Sequence, residues 1–471
     1  MIRQLLTAAA AMALFGAAPA SAADYPPMPV PGPTKPFKVA AAETYRLPNG
    51  MQVTLIPYGE VPKAVINVRI YAGGLDAAPN EGLASLNALM MREGAGDLSS
   101  SQIAAASAGM GGNLLVNSGL HETVLGLSVL SDRAPDAVRL LGDLARHPTF
   151  PASEFDRVKT GLVRNVLVAK SQAQVAAAAA LAAAYYGPNS PYGHVIPDEN
   201  KVKGYTLEQV RQFYQNNFGA ARARIYVAGQ FDTAAVKAAI EQAFGGWAAG
   251  PQRGRFPPSP QTGPKVILVD RPGAPQSTIR LAFPAPAHGS PEDIPFQVTD
   301  ALLGGSFTSR ITANIREQKG YTYSPFSTIN YNPGEGELEF DADVTSAVTG
   351  PALKEVFGEI RRLQTEPVPD KEATGIRTWM AGTFVLRNAS PAGLIGSLAE
   401  RDQYGLPANW LDTYVPSVLA VPDAAFNTLA KERFPLNRAI LVVVGDLKTV
   451  EPQLKALPEL QNVPFQVVKP F

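Results

Sequence analysis

Arg224-Ile225-Tyr226-Val227-Ala228-Gly229 and Leu441-Val442-Val443-Val444-Gly445-Asp446 are the stretches on which the fold turns. Each is a short apolar run rich in β-branched residues and closed by glycine, so each reads as a strand buried on both faces. Their glycines lie 445 − 229 = 216 residues apart. Working outward, Val266-Ile267-Leu268-Val269 echoes Val53-Thr54-Leu55-Ile56 at 268 − 55 = 213. A helix around Gly358 echoes one around Gly142, again at 358 − 142 = 216. Three echoes at nearly one offset indicate a duplicated half of roughly 200 residues. The fold class expected is therefore α+β, built as two homologous α/β half-units.

Gly250 to Pro264, with five prolines and three glycines, is the clearest linker. It divides an N-terminal unit, 43–249, from a C-terminal unit, 265–471. Two similar units joined flexibly enclose a space, where ligand sites tend to lie. At 471 residues, more than one core is expected. The front of the chain reads differently. Met1-Ile2-Arg3, an apolar run from Leu5 to Ala18 and Ala20-Ser21-Ala22 make residues 1–22 a secretory signal peptide. Residues 23–42 form a proline-rich, extended lead-in. The expected location is the periplasm, and no later apolar run is long enough to span a bilayer.

The 41 basic and 41 acidic residues balance, which argues against a nucleic-acid partner. The chain has no cysteine, excluding disulfides and thiolate metal sites. Its four histidines, His121, His147, His194 and His288, are too scattered to share a metal by spacing. No His-Glu-x-x-His or His-x-x-Glu-His occurs, nor a Gly-x-Ser-x-Gly elbow or a Walker loop. Each lone histidine reads as structural, and His194 is given no role.

Chemistry concentrates in Gly304-Gly305-Ser306-Phe307-Thr308-Ser309-Arg310 and Arg316-Glu317-Gln318-Lys319-Gly320-Tyr321-Thr322-Tyr323-Ser324. The pattern reads as a glycine turn, a short helix burying Ile311 and Ile315, a left-handed stop at Gly320, and a strand over Tyr321–Ser324. Arg316 and Tyr323 are then placed to offer a guanidinium and a phenol to one peptide. Tyr321, two residues away on the same expected strand face, is the alternative to Tyr323.

These motifs, with Leu47-Pro48-Asn49-Gly50, Gly82-Leu83-Ala84, Ser190-Pro191-Tyr192-Gly193 and Thr206-Leu207-Glu208-Gln209, resemble the pitrilysin family of zinc peptidases. The likeness covers nearly all of the chain beyond the leader. It implies two half-units facing each other like a clamshell, with mixed, mainly antiparallel sheets covered by helices. Active members carry His-x-x-Glu-His after Gly-Leu-Ala. Here Ser85, Ala88 and Leu89 stand in place of the two ligands and the base. The third ligand, a later glutamate, corresponds to the region of Arg164 and Asn165, and no Asp or Glu occurs between Arg157 and Pro197. A catalytic zinc needs three protein ligands. No metal, no cofactor and no zinc-dependent catalysis are therefore expected in this chain alone. The family's arginine and its tyrosine seven residues on, which hold substrate, correspond to Arg316 and Tyr323. The reading implied is a non-catalytic subunit of a heterodimeric zinc peptidase. Its partner would be a family member with an intact motif, carrying the zinc. A structural scaffold and a stand-alone peptide-binding protein are the alternatives.

Overall fold

Alternation lays down the strands. In Lys63–Ile70 the residues Ala64, Ile66, Val68 and Ile70 are fully buried, while those between them are not. The structure is a computed structural model that describes residues 38–261 and 263–471. The expected signal peptide and the lead-in as far as Phe37 lie outside the described residues.

Two six-stranded sheets form. The first contains β1 (Glu43–Arg46), β2 (Gln52–Pro57), β3 (Lys63–Ile70), β4 (Leu115–Ser118), β5 (Thr123–Leu130) and β6 (Ala223–Gly229), in the order β1-β2-β6-β3-β5-β4. The second contains β7 (Lys265–Asp270), β8 (Gln276–Ala285), β9 (Phe326–Asn332), β10 (Glu335–Thr345), β11 (Ile440–Gly445) and β12 (Phe465–Val467), in the order β12-β7-β11-β8-β10-β9. The two apolar runs that signalled duplication are the interior strands β6 and β11. Val227 of β6 sits opposite Leu55 in a parallel pairing and Ile66 in an antiparallel one. Val443 of β11 sits likewise between Leu268 and Ile279. The sheets differ at one edge, where β1 joins antiparallel and β12 parallel.

The halves are interlocked by exchanged helices. The alanine-rich helix Ala173–Tyr186 belongs to the first half but packs on β7, β8 and β11 of the second sheet. Ala176, Ala177, Ala180 and Leu181 share one buried cluster with Ile267, Ala282 and Val442. Small side chains let the helix approach the sheet closely enough to fill that layer without voids. Reciprocally, Pro391–Tyr404 packs on β3 and β6 of the first sheet. Its Asp402 accepts hydrogen bonds from Gln52 at 2.7 Å and the Tyr226 hydroxyl at 2.8 Å. Lys38–Phe471 is one compact unit as a result.

The described part of 250–264 has no helix or strand, but it is fastened rather than free. Arg222 donates to the carbonyls of Pro251 and Gln252, and Tyr192 to that of Phe256. Among the described residues no single helix is long and apolar enough to cross a membrane. Ala152–Lys170 and Ala173–Tyr186 reach that composition only as a pair bent by 89°.

Candidate functional site

The helix that would hold zinc in an active relative is Leu83–Met91, entered through Gly82 in a left-handed conformation, φ 82°. It packs against helices Ala152–Lys170 and Leu207–Asn217, and Asn87 donates to the Val210 carbonyl at 3.1 Å. Ser85 lines a cavity of about 420 Å³ together with Gly82, Leu120, Tyr192 and His194. Ala88 is buried and Leu89 half-buried in the apolar core. Arg164 and Asn165 are exposed. Among the described residues no three His, Asp or Glu side chains converge as a metal site. A serine hydroxyl beside alanine and leucine does not fit a catalytic zinc.

The second-half motif keeps its functional groups on an unusual support. Thr312–Gln318 is a π-helix, a wider turn than the α-helix expected. The Lys319 amide reaches Asn314 O at 3.0 Å, five residues back. Ile311 and Ile315 point into the core as expected, and Gly320 closes the turn at φ 65°. Several polar contacts hold this turn in place. Arg310, buried, meets both oxygens of Glu372 at 2.7 Å. Asn314 donates to Glu355 and Glu359 at 3.1 and 2.9 Å. Arg310, quoted for its place in the motif, is therefore a structural anchor.

The expected strand over Tyr321–Ser324 does not form. The Tyr321 amide is spent on Ile315 O at 2.8 Å, and Pro325 has no amide to give a ladder. Only Thr322 touches the sheet, through a bridge to Val344 and a hydroxyl bond to Asp343 O at 2.7 Å. The strand begins at Phe326. The two tyrosines consequently do not share a face. Tyr321 is half-buried, while Tyr323 is 83% exposed. The Arg316 guanidinium lies 4.3 Å from the Phe307 ring and 5.5 Å from the Tyr323 ring. Its Nε is 3.1 Å from Glu317. Arg316 and Tyr323 are thus brought together at the surface, with Phe307, exposed beside them, as a member that sequence reasoning did not single out. Its signal was position, directly after the Gly304-Gly305 turn.

Residues 54–195 match the family described as insulinase (peptidase family M16), and residues 204–378 match its peptidase M16 inactive domain. The chain belongs to the insulinase family, peptidase M16, as an inactive member. The inactive-domain match covers the second half, while Ser85, Ala88 and Leu89 lie within the first-half match. Among M16 relatives, the chain is 24% identical to an "uncharacterized zinc protease" of Mycobacterium tuberculosis, over 79% of this chain and 84% of that protein. It is 21% identical to the "non-peptidase homolog YmxG" of Helicobacter pylori, over 87% and 95%. The crystal structure of a peptidase M16 inactive domain from Pseudomonas fluorescens superposes with a TM-score of 0.78 at 21% identity, over 86% of this chain and 98% of that one. At that identity the superposition speaks for the M16 fold alone.

Proposed function

We propose that this chain is the non-catalytic, substrate-binding subunit of a two-chain zinc peptidase acting on peptides in the periplasm. One observation carries the reading. The zinc positions hold side chains that cannot ligate, while Arg316 and Tyr323 stand together, unburied, on a turn anchored by two polar clusters. A family member with an intact zinc motif would bring the metal and the general base. Arg316 would donate to a peptide carbonyl. Tyr323 would hold the carbonyl at the scissile bond and donate to the oxyanion as it develops. The leader expected at residues 1–22 supports a location outside the inner membrane for this chain, where its partner would have to meet it.

The test is reconstitution with the zinc-bearing chain that co-purifies. Alone, this chain is expected to carry no stoichiometric zinc and to cut no peptide. In the complex, Arg316→Ala or Tyr323→Phe should lower the cleavage rate, Tyr323→Phe by about 100- to 1,000-fold, the scale of losing one transition-state donor. Full activity with both changes present would refute the role. It would leave a scaffold, in which the pair has no part in cleavage.

A further inference from the structure

The internal duplication gives the vanished zinc site a counterpart in the second half, and that counterpart is not empty of chemistry. Helix Asp293–Leu303 corresponds to Leu83–Met91, with ends offset by 303 − 91 = 212. Asp370–Arg387 and Pro391–Tyr404 correspond to Ala152–Lys170 and Ala173–Tyr186, with starts offset by 370 − 152 = 218 and 391 − 173 = 218. Between these second-half helices and β9 lies a cavity of about 400 Å³. Asp300 falls where Ala88 stands in the first half (300 − 88 = 212).

We propose that this cavity binds the side chain of a basic residue, lysine or arginine, of a peptide. Its walls are aromatic. Trp379, Phe384, Trp410 and Tyr414 line it, and aromatic faces attract an ammonium or guanidinium group. Its acceptors are carboxylates. Asp300 is only 5% exposed; one oxygen accepts from the Ser327 hydroxyl, and no hydrogen bond reaches the other. That free oxygen faces Gly305, which also lines the cavity and has no side chain to cover it. Burial pushes the Asp300 carboxyl up to about 7, a cost that a neighbouring cation would relieve.

Glu400 also lines the cavity, with one oxygen 3.2 Å from His288 Nε2. Asp293, outside the lining, is already engaged by His288, the Gly289 amide, Gln297 and Tyr331. Arg387 also lines the cavity, but it is exposed, with its guanidinium 5.4 Å from the Phe384 ring. The acceptors left for a ligand are therefore on Asp300 and Glu400.

The cavity is reachable. Trp379 is 40% exposed, and Phe326, three residues beyond Tyr323, is 44% exposed. A neighbouring cavity of about 440 Å³ shares Ile329, Tyr331 and Glu400 with it, and shares Leu120 with the cavity at Ser85. The three cavities thus lie side by side between the first-half helix and this site.

The proposal deepens the peptide-binding reading and rests on it for the nature of the ligand, but it does not require the partner. Two of the three tryptophans line the cavity, so intrinsic fluorescence of the purified full chain reports on it. A blocked pentapeptide with one central lysine, titrated at pH 8, should give a saturable change. The same peptide with norleucine should bind about tenfold weaker or less tightly still, the scale of one charge-assisted contact. Asp300→Asn should weaken the lysine peptide by about tenfold and leave the norleucine peptide unchanged. Equal affinity for lysine and norleucine, or no saturable change with the unaltered chain, would overturn the site, and neither result depends on the variant folding. Because no cleavage is measured, failure of the two-chain reading and failure of this site appear in separate experiments.

Discussion

At the scale of single residues, glycines show how little identity says without surroundings. A Cβ at Gly305 would lie 2.6 Å from an Asp300 oxygen and 3.3 Å from the Ala301 Cα. Gly305→Ala should therefore cost about 1–3 kcal/mol, read as a lower urea midpoint. Gly358, inside helix Thr349–Thr365, has nothing within 4 Å of the added carbon. Gly358→Ala should raise the midpoint, by about 0.5–1 kcal/mol, through helix propensity alone. Gly358 was paired with Gly142 by offset, yet at Gly142 a Cβ would come within 2.7 Å of Ala243 Cβ. The duplication preserved the letter while the packing reason survives in one half only.

At the scale of elements, the exchanged helices carry the argument. A helix is legible in the alanine-rich run Ala173 to Ala184, because alanine is the strongest helix former. Which sheet it covers was not legible, since periodicity reports that a face is apolar and not what meets it. The polar contact across the reciprocal exchange is testable. Asp402 serves Gln52 and Tyr226 at once, and Arg224 lies 3.7 Å away. Asp402→Ala leaves those groups buried without their acceptor and should cost about 2–4 kcal/mol. Hydrogen exchange should then quicken in β6, whereas unchanged protection there would show that the apolar layer alone holds the helix. The π-helical turn teaches the same lesson. Two local competitors, the Tyr321 amide bond and Pro325, defeated a sequence alternation that otherwise reads as strand.

At the scale of the whole molecule, buried ionisable groups set how stability follows pH. Burial raises Asp300 from 3.8 to about 7. Burial, aided by the Glu335 charge, raises Glu337 from 4.5 to about 7. For both, the folded state favours the neutral acid, so their contribution is full below the unfolded value and is lost as pH rises toward 7. His288 is pulled down by burial, but Asp293 and Glu400 outweigh that and hold it at about 9. Its contribution is full below 6.5 and is lost as pH rises from 6.5 to 9. His121, lowered by burial, acts oppositely and only as pH falls through 6.5. The Tm should therefore fall steadily between pH 6.5 and 9, and a Tm that climbs over that interval would contradict the assignment. The interlocked halves should share this response in one transition.

By itself the sequence determined the interior strands, and it pointed to the duplication and to a first-half helix without zinc-ligating side chains. Those conclusions need only local pattern or chemical identity, for no fold gives Leu89 a lone pair or Ala88 a proton acceptor. Gly320 belongs here too, because its left-handed turn is a local property of the backbone. The tertiary structure alone decided that each half lends a helix to the other's sheet. It also separated Tyr321 from Tyr323, and it turned His288 from a lone histidine into a cation between Asp293 and Glu400. These outcomes depend on groups far apart along the chain competing for the same space, hydrogen bonds and charge, and residue spacing carries no record of that competition.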